Sequence, residues 1–440
     1  MSLAYLEAIE SSEFTRRVGR VTQFLGLVIE ADGPDAYLGE KCEVIARSQT
    51  TSVLAEVVGI KQGRVLLMPY GDVRGISIGS EVVASGKRFE VAVGDALLGR
   101  VIDAFGRPLD DAPEPQTESN YPIYNEPLNP MDRPRISEIL ETGVACIDSL
   151  LTIGKGQRVG IFAGSGVGKS TLLGMIARNM RADINVIGLV GERGREVLDF
   201  VEQNLGSEGL KRSVVVVATS DQPPLVRTHA ALAATAIAEY FRDQGKDVLL
   251  TMDSLTRFAM AQREVGLAIG EPPTTRGYTP SVFSLLPRLL ERGGTSPNGG
   301  SITAFYTVLV EGDDLNDPIS DNVRAILDGG IVLSRDLASE NYYPPIDILQ
   351  SNSRLLTSLV SDGELINLDK VVRLLGVYER SRDMVDIGAY RAGSNPELDV
   401  ALSLMPKIRQ FLCQDFKQSY TRESALKELA AILSEKGSGL

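Results

Sequence analysis

The chain has 440 residues, enough for about three domains at roughly 150 residues each, and 58 Asp and Glu against 45 Lys and Arg give it a formal net charge of -13. That acidic balance argues against a general attraction to nucleic acid or anionic lipid. One histidine, His229, and three scattered cysteines, Cys42, Cys146 and Cys413, exclude a His-rich metal site, argue against a His-based triad, and fit buried or incidental thiols of a reducing cytosol.

The N-terminal stretch "MSLAYLEAIESSEFTRR" carries Glu7, Glu10 and Glu13 where a signal peptide would be basic and then apolar. Leu3, Leu6 and Ile9, followed by Phe14, instead predict a short amphipathic helix over residues 1–16. No run approaches the roughly 18 apolar residues of a membrane span, so the chain is expected in the cytoplasm. Residues 17–93 hold short β-rich runs ("LGLVIEA", "TSVLAEVVGI", "RVLLMPY", "SEVVASG") punctuated by glycines, the texture of a small sandwich or barrel. The following "APEPQTESNYPIYNEPLNPMDRPR" is too rich in proline for a helix and too studded with apolar anchors for a loose linker; it predicts an extended segment laid over the next domain. Within residues 94–355, "RVGIFA", "INVIGLV", "SVVVVAT", "DVLLTMD" and "SITAFYTVL" alternate with helical patterns, as in a parallel sheet covered on both faces. His229 reads as a polar residue near a helix start rather than a catalyst. Residues 356–440 lose the β signal and read as a helical domain.

Chemistry enters at residues 162 to 171, "FAGSGVGKST". Ala163, Gly164, Ser165, Gly166, Val167, Gly168, Lys169 and Ser170, with Thr171 after them, fit the phosphate-loop pattern: glycines let successive N–H groups curl around an anion at a helix N-terminus. Lys169 would reach the terminal phosphates and the Ser170 hydroxyl would ligate Mg²⁺. Ala163 stands where the strict pattern has glycine, but that strand end needs only a small side chain. "RVGIFA" supplies the preceding strand, and Leu172, Leu173, Ile176 and Met180 give the following helix an apolar face. "DVLLTMDSLTR" predicts a neighbouring strand ending in Asp253, the acid that would hold waters of the metal. "INVIGLVGERGRE" ends another strand in Glu192 and Arg193; Glu192 is either a general base or an exposed charge paired with Arg193 or Arg195.

Taken together, "VGDALLGRVIDAFGRPLD", "GQRVGIFAGSGVGKS", "GLVGERGREV", "LLTMDSLTRFAMAQRE" and "LQSNSR" resemble the catalytic subunits of rotary ATPases. "NPMDRPRISEILETGVACIDSLLTIGKGQR", "AIGEPPTTRGYTPSVFSLLPRLLERGG" and "GGSITAFYTVLVEGDDLNDPISD" are similar to the ATPases of type III protein export, the flagellar ones in particular. The likeness runs from about residue 17 to beyond 400. It implies an α/β fold with a RecA-like P-loop NTPase core, an N-terminal β-barrel and a C-terminal helical domain, with ATP and Mg²⁺ bound. It makes Glu192 the catalytic base with Arg193 beside it, Tyr343 the aromatic platform for adenine, and Arg354 an arginine finger acting on the neighbouring subunit's site. Because Lys169, Glu192 and Arg354 share one chain, the resemblance implies a homohexamer with sites at its interfaces. The partners it implies are a stator-like regulator at the N-terminal helix and a central coiled-coil stalk protein at "VDIGAYRAGSNPELDVA". Export gate proteins and export chaperone–cargo complexes at the inner membrane, where the enzyme would be peripherally associated, complete the set.

Competing expectations are the ATPase of a virulence-type secretion system, a subunit of a proton-translocating ATP synthase, an RNA-acting ring helicase, and a ring subunit that binds nucleotide without turnover. The helicase is disfavoured because residues 20–92 have few aromatics and about balanced charge, so no nucleic acid is expected as a partner.

Overall fold

A computed structural model describes residues 16–48, 51–310, 312 and 314–434. The expected N-terminal helix falls, but for its last residue, outside the described residues.

Among the described residues, β1 (Arg17–Leu25), β2 (Val28–Asp32), β3 (Glu40–Ile45), β4 (Ser52–Lys61), β5 (Arg64–Pro69) and β6 (Glu81–Arg88) close into a barrel in the order β1-β2-β5-β4-β3-β6. Their period-2 alternation supplies its interior: Val21, Ile29, Cys42, Val44, Val57, Leu67 and Val82 all point inward. Glu40 also turns inward and is satisfied there, accepting from Arg17 Nη2 at 2.8 Å and from the Gly86 N–H at 2.7 Å. β7 (Glu90–Val93) leaves the barrel and pairs instead with β9 (Ser119–Pro122) of the proline-rich passage. β8 (Arg100–Asp103) joins the edge of the large sheet.

That sheet contains β8 with β10 (Arg158–Ala163), β11 (Ile184–Glu192), β12 (Ser213–Thr219), β13 (Asp247–Asp253), β14 (Gly294–Thr295), β15 (Ser301–Leu309), β16 (Gly329–Leu333) and β17 (Ile346–Ser353). The order is β17-β16-β10-β15-β13-β11-β12-β8, with β14 hydrogen-bonded to β15. Every pairing is parallel except those of β14 and β17. The continuous apolar runs are explained by burial on both faces. Val186, Val214, Val216, Leu250 and Met252 face a core shared with the Ala-rich helix α2 (Pro224–Asp243), while Ile187, Leu189, Val215, Val217 and Leu249 face one shared with α1 (Lys169–Asn179). α3 (Leu255–Ala268) and α4 (Pro280–Leu290) extend the first core. After β17 the chain is helical: α5 (Asp362–Asp386), α6 (Pro396–Leu412) and α7 (Arg422–Ser434) pack on the second. Among the described residues no helix is long and apolar enough to cross a membrane.

Two buried polar clusters tie the layers together. At the joint between barrel and sheet, Glu56 accepts from the Tyr70 hydroxyl and, at 2.8 Å, from Tyr124 Oη, and His229 Nδ1 lies 3.1 Å from the Tyr70 oxygen. Burial among Tyr70, Phe89 and Phe105 pushes the His229 imidazole down to about 3, so it sits there neutral, a structural residue as its sequence context suggested. Beneath the sheet, Arg292 makes paired hydrogen bonds to Glu239 at 2.9 and 2.7 Å and donates to the Ile123 carbonyl at 2.7 Å, which holds the proline-rich strap in place. Both partners of this ion pair are almost fully buried, so removing one leaves the other charge without a partner in low dielectric. Arg292→Met is expected to lower the unfolding free energy by about 3–5 kcal/mol, and Arg292→Met with Glu239→Leu to recover most of it. Denaturant titration of the variants checks both.

Candidate functional site

The parallel order brings the C-terminal ends of β10, β11 and β13 to one edge, where ligands of open α/β sheets collect. Beyond Ala163, Gly166 and Gly168 take left-handed φ values of 79° and 93°, and Gly168 caps α1. The loop thereby directs its N–H groups at the helix N-terminus toward a cleft of about 610 Å³, bordered by Gly164, Lys169, Ser170, Glu192, Arg257 and Arg335 among others. Ser170 and Thr171 are exposed to it, whereas Val167 is buried as an apolar anchor.

Lys169 points inward. Its Nζ is 2.5 Å from Asp253 Oδ1 and 3.6 Å from Glu192 Oε1. Thr307 Oγ1 donates to the same Asp253 oxygen at 2.8 Å. Asp253 comes from β13, which does not neighbour the strand of the phosphate loop as the sequence suggested: β15 lies between them and contributes Thr307. The long lysine side chain spans the gap. Glu192 is swung inward by a bulge at Gly191, whose φ of 73° is left-handed and whose missing Cβ leaves room for the Arg257 side chain. Only 8% of Glu192 is exposed, so it is not a surface loop charge. Arg193, by contrast, sits at the rim with its side chain 70% exposed and 3.5 Å from Glu196.

Burial and the nearby Asp253 raise Glu192 to about 7, with Lys169 opposing. Burial also works against the ammonium of Lys169, but the two carboxylates outweigh it and hold the group above the ordinary lysine value. Glu192 Oε1 is buried without a hydrogen-bond partner, an acceptor available to a bound water. The Ser170 hydroxyl and the Asp253 carboxylate are hard oxygen donors, of the type that would suit a divalent cation alongside phosphates and waters.

Tyr343 and Arg354 lie apart from this group. Tyr343 borders a separate slot of about 260 Å³ behind the phosphate loop, together with Gly168, Leu172, Met175 and Phe416. Phe416 was not foreseen from sequence. "QDF" after a helix resembles any exposed loop, and only the fold returns it to α1. Arg257 was also missed: it lies one helical turn beyond Asp253 in "MDSLTR", borders the cleft, and its buried Nε has no hydrogen-bond partner. Arg354 follows β17, which runs antiparallel, so Ser353 pairs with Gly329 at the strand-start end of β16. That end aligns with Val159, and the phosphate loop leaves β10 at Ala163, roughly 13 Å farther along the strand. Arg354 therefore faces away from its own chain's cleft, and its Nη2 donates to the Arg324 carbonyl at 3.0 Å.

The raised Glu192 has a stability signature. Its folded value of about 7 exceeds the ordinary 4.5, so its contribution to stability is complete below about 4.5 and is lost as pH rises toward 7. In nucleotide-free, Mg²⁺-free protein, Glu192→Gln should gain stability relative to wild type as pH rises through that window; urea midpoints at several pH values report the difference, and a flat or declining one would contradict the burial effect.

Comparison with known proteins agrees with this architecture. The family model described as the ATP synthase alpha/beta family, beta-barrel domain, matches residues 21–86, and the nucleotide-binding domain of the same family matches 143–353. The T3SS EscN ATPase C-terminal domain matches 360–431. The flagellum-specific ATP synthase of Bacillus subtilis (strain 168) is 54% identical, with 97% of this chain and 98% of that protein covered. The type 3 secretion system ATPase of Xanthomonas euvesicatoria is 48% identical over 96% of this chain and 95% of its own length. The structure of the assembled ATPase EscN from the type III secretion system of enteropathogenic E. coli superposes with a TM-score of 0.90 at 46% identity, covering 94% of this chain and 100% of that one. EscN in complex with its central stalk EscO gives a TM-score of 0.87 at the same identity, with 94% and 100% covered. A phosphate loop, an inward glutamate and an aspartate on one parallel sheet, between a barrel and a helical domain that each match in turn, mean that the chain belongs to the ATP synthase alpha/beta family, among its type III export ATPases.

Proposed function

We propose that the protein hydrolyses ATP to ADP and phosphate to energise type III protein export, and that the exported goods are flagellar components. The observation that carries the chemistry is the Lys169 ammonium held between Asp253 and Glu192 at the mouth of a phosphate loop. We assign residues 17–93 to the barrel domain, with β7 as the segment by which the chain leaves the closed barrel, residues 94–355 to the nucleotide domain and 356–440 to the helical domain.

In this scheme the N–H groups of residues 163–171 cradle the triphosphate, and Lys169 turns from its carboxylates to the terminal phosphates. Ser170 would hold Mg²⁺ directly and Asp253 through water; when bound, the ion neutralises charge on the phosphate oxygens. Glu192, whose value near 7 suits a base working at neutral pH, takes a proton from a water. That water's oxygen bonds to the γ-phosphorus as the bond to the bridging oxygen breaks and ADP leaves. Arg193 and Arg257 lie at the same cleft and contribute positive potential. Tyr343 stacks on adenine.

Arg354 completes the site of a neighbouring copy. In support, it faces away from its own cleft, and EscN has been solved as an assembly. We take the assembly to be a homohexamer. The segment "VDIGAYRAGSNPELDVA", residues 385–401, which holds the exposed loop between α5 and α6, is proposed to meet a central coiled-coil stalk protein, in line with the solved complex of EscN with its central stalk EscO, and residues 1–16 a stator-like regulator. Export gate proteins and export chaperone–cargo complexes would be met at the cytoplasmic side of the inner membrane. The virulence-type alternative draws on the EscN superposition, while the flagellar relative is the more similar in sequence.

Lys169→Ala and Glu192→Gln are each expected to abolish ATP turnover, and Arg354→Ala to lower it by ~10³ to 10⁵. Mixing Lys169→Ala with Arg354→Ala subunits should restore measurable activity, because some interfaces then pair an intact cleft with an intact arginine. A steady-state phosphate-release assay on the mixtures decides this; no recovery at any ratio would refute action in trans. In the host, deleting the gene should stop swimming and filament secretion, both restored by wild type and not by Lys169→Ala. Normal swimming after deletion would favour the virulence-type system.

A further inference from the structure

The slot bordered by Tyr343 and Phe416 is made by segments distant in sequence: the turn after α6 carries Phe416, and the strand-entry turn before β17 carries Tyr343. Both rings are nearly half exposed, Tyr343 at 44% and Phe416 at 43%. Packing on their own faces therefore does not fix them.

Gln414, two residues before Phe416, borders the same slot and is only 6% exposed. Its backbone N–H donates to the Tyr343 carbonyl at 2.9 Å. Its side-chain Oε1 accepts from the Ala145 N–H at 2.9 Å, and Nε2 donates to the carbonyls of Gly143 and Gln418, each at 2.9 Å. The Gly143 turn is itself rigid: Asp148 accepts from the N–H groups of Thr142 and Gly143 at 2.8 and 2.9 Å. The Gln418 carbonyl belongs to the turn that carries Phe416, whose own carbonyl accepts from Arg178 Nη2 at 2.6 Å at the end of α1. A carboxamide has two N–H donors and one carbonyl oxygen. Both donors and the oxygen are engaged by main-chain groups of the protein, so the amide ties the turn that carries Phe416 to the Gly143–Ala145 segment.

We propose that Gln414 is the positioning residue of the nucleotide-base slot, fixing Tyr343 through its main chain and tying the Phe416 turn through its side chain to the Gly143–Ala145 segment. This rests on the ATPase reading and on base stacking in the slot. Loss of the amide unties the 414–418 turn, which carries both Phe416 and the main-chain N–H that holds Tyr343, from Gly143 and Ala145, while Lys169, Asp253 and Glu192 keep their geometry, so binding suffers and chemistry does not.

The test is steady-state ATP hydrolysis by the assembled full chain with Mg²⁺. Gln414→Ala is expected to raise KM for ATP roughly tenfold, within the range that base stacking contributes, with kcat within about twofold of wild type. In a Tyr343→Ala, Phe416→Ala background, which should itself show the raised KM, adding Gln414→Ala should change KM little, because the three act as one unit. If Gln414→Ala does not fold, Gln414→Glu, which keeps the acceptor for Ala145 and loses both donors, should show the same split. An unchanged KM, a fall in kcat alone, or the same KM increase in both backgrounds would overturn the proposal. No ATP turnover by wild type would overturn the ATPase reading with it, and a Tyr343→Ala, Phe416→Ala variant with wild-type KM would remove the stacking slot on which the proposal stands.

Discussion

One ammonium held between two carboxylates, at the end of a sheet buried on both faces, is the constraint around which this protein is arranged. Lys169, Asp253 and Glu192 leave three different strands, and each is shielded from water by the apolar runs that precede it. In that environment none of the three charges is comfortable alone. A bound triphosphate would offer the lysine new anionic partners. The three charges satisfy one another across strand ends that are distant in sequence, which is why the sheet order and the glutamate bulge matter as much as the residues themselves.

The surrounding domains are joined to that core by buried polar contacts rather than by apolar packing alone. Glu56, Tyr70 and His229 connect the barrel to the helix that follows β12, and Arg292 with Glu239 holds the strap that runs between barrel and sheet. Hydrogen bonds are directional, so such contacts specify one docking angle where an apolar face alone would tolerate several. On the other side, Gln414 links the end of α6 to Tyr343 and to the turn before the phosphate-loop strand. The helical domain thereby contributes one border of the slot behind the phosphate loop, so that slot is built by two domains of the same chain, while Arg354 lies at the opposite end of the sheet from the phosphate loop.

Much of this was legible in the chain. Glycines at Gly166 and Gly168 announce positive φ, and the lysine and serine after them are meaningful only at a helix start beside a strand; both requirements are local. The apolar runs of β10 to β13 announce a sheet buried on both faces because an unbroken run of β-branched residues has no solvent side. Glu192 could be recognised as a strand-end carboxylate, but whether it faced inward was undecidable, since a single bulge at Gly191 sets the direction of its side chain.

Sequence by itself therefore determined the local chemistry: where a phosphate could be gripped, which strands are buried, where the chain turns from strands to helices, and, through resemblance, the family. Tertiary structure decided everything that depends on which distant segments meet. It inserted β15 between the strands of Lys169 and Asp253, took β7 out of the barrel and β8 into the large sheet, brought Phe416 and Gln414 to the back of α1, and turned Arg354 to the opposite end of the sheet from its own phosphate loop. The reason is physical: propensity and periodicity act over a few residues, whereas strand order and the closing of a slot are chosen by the packing free energy of the whole chain.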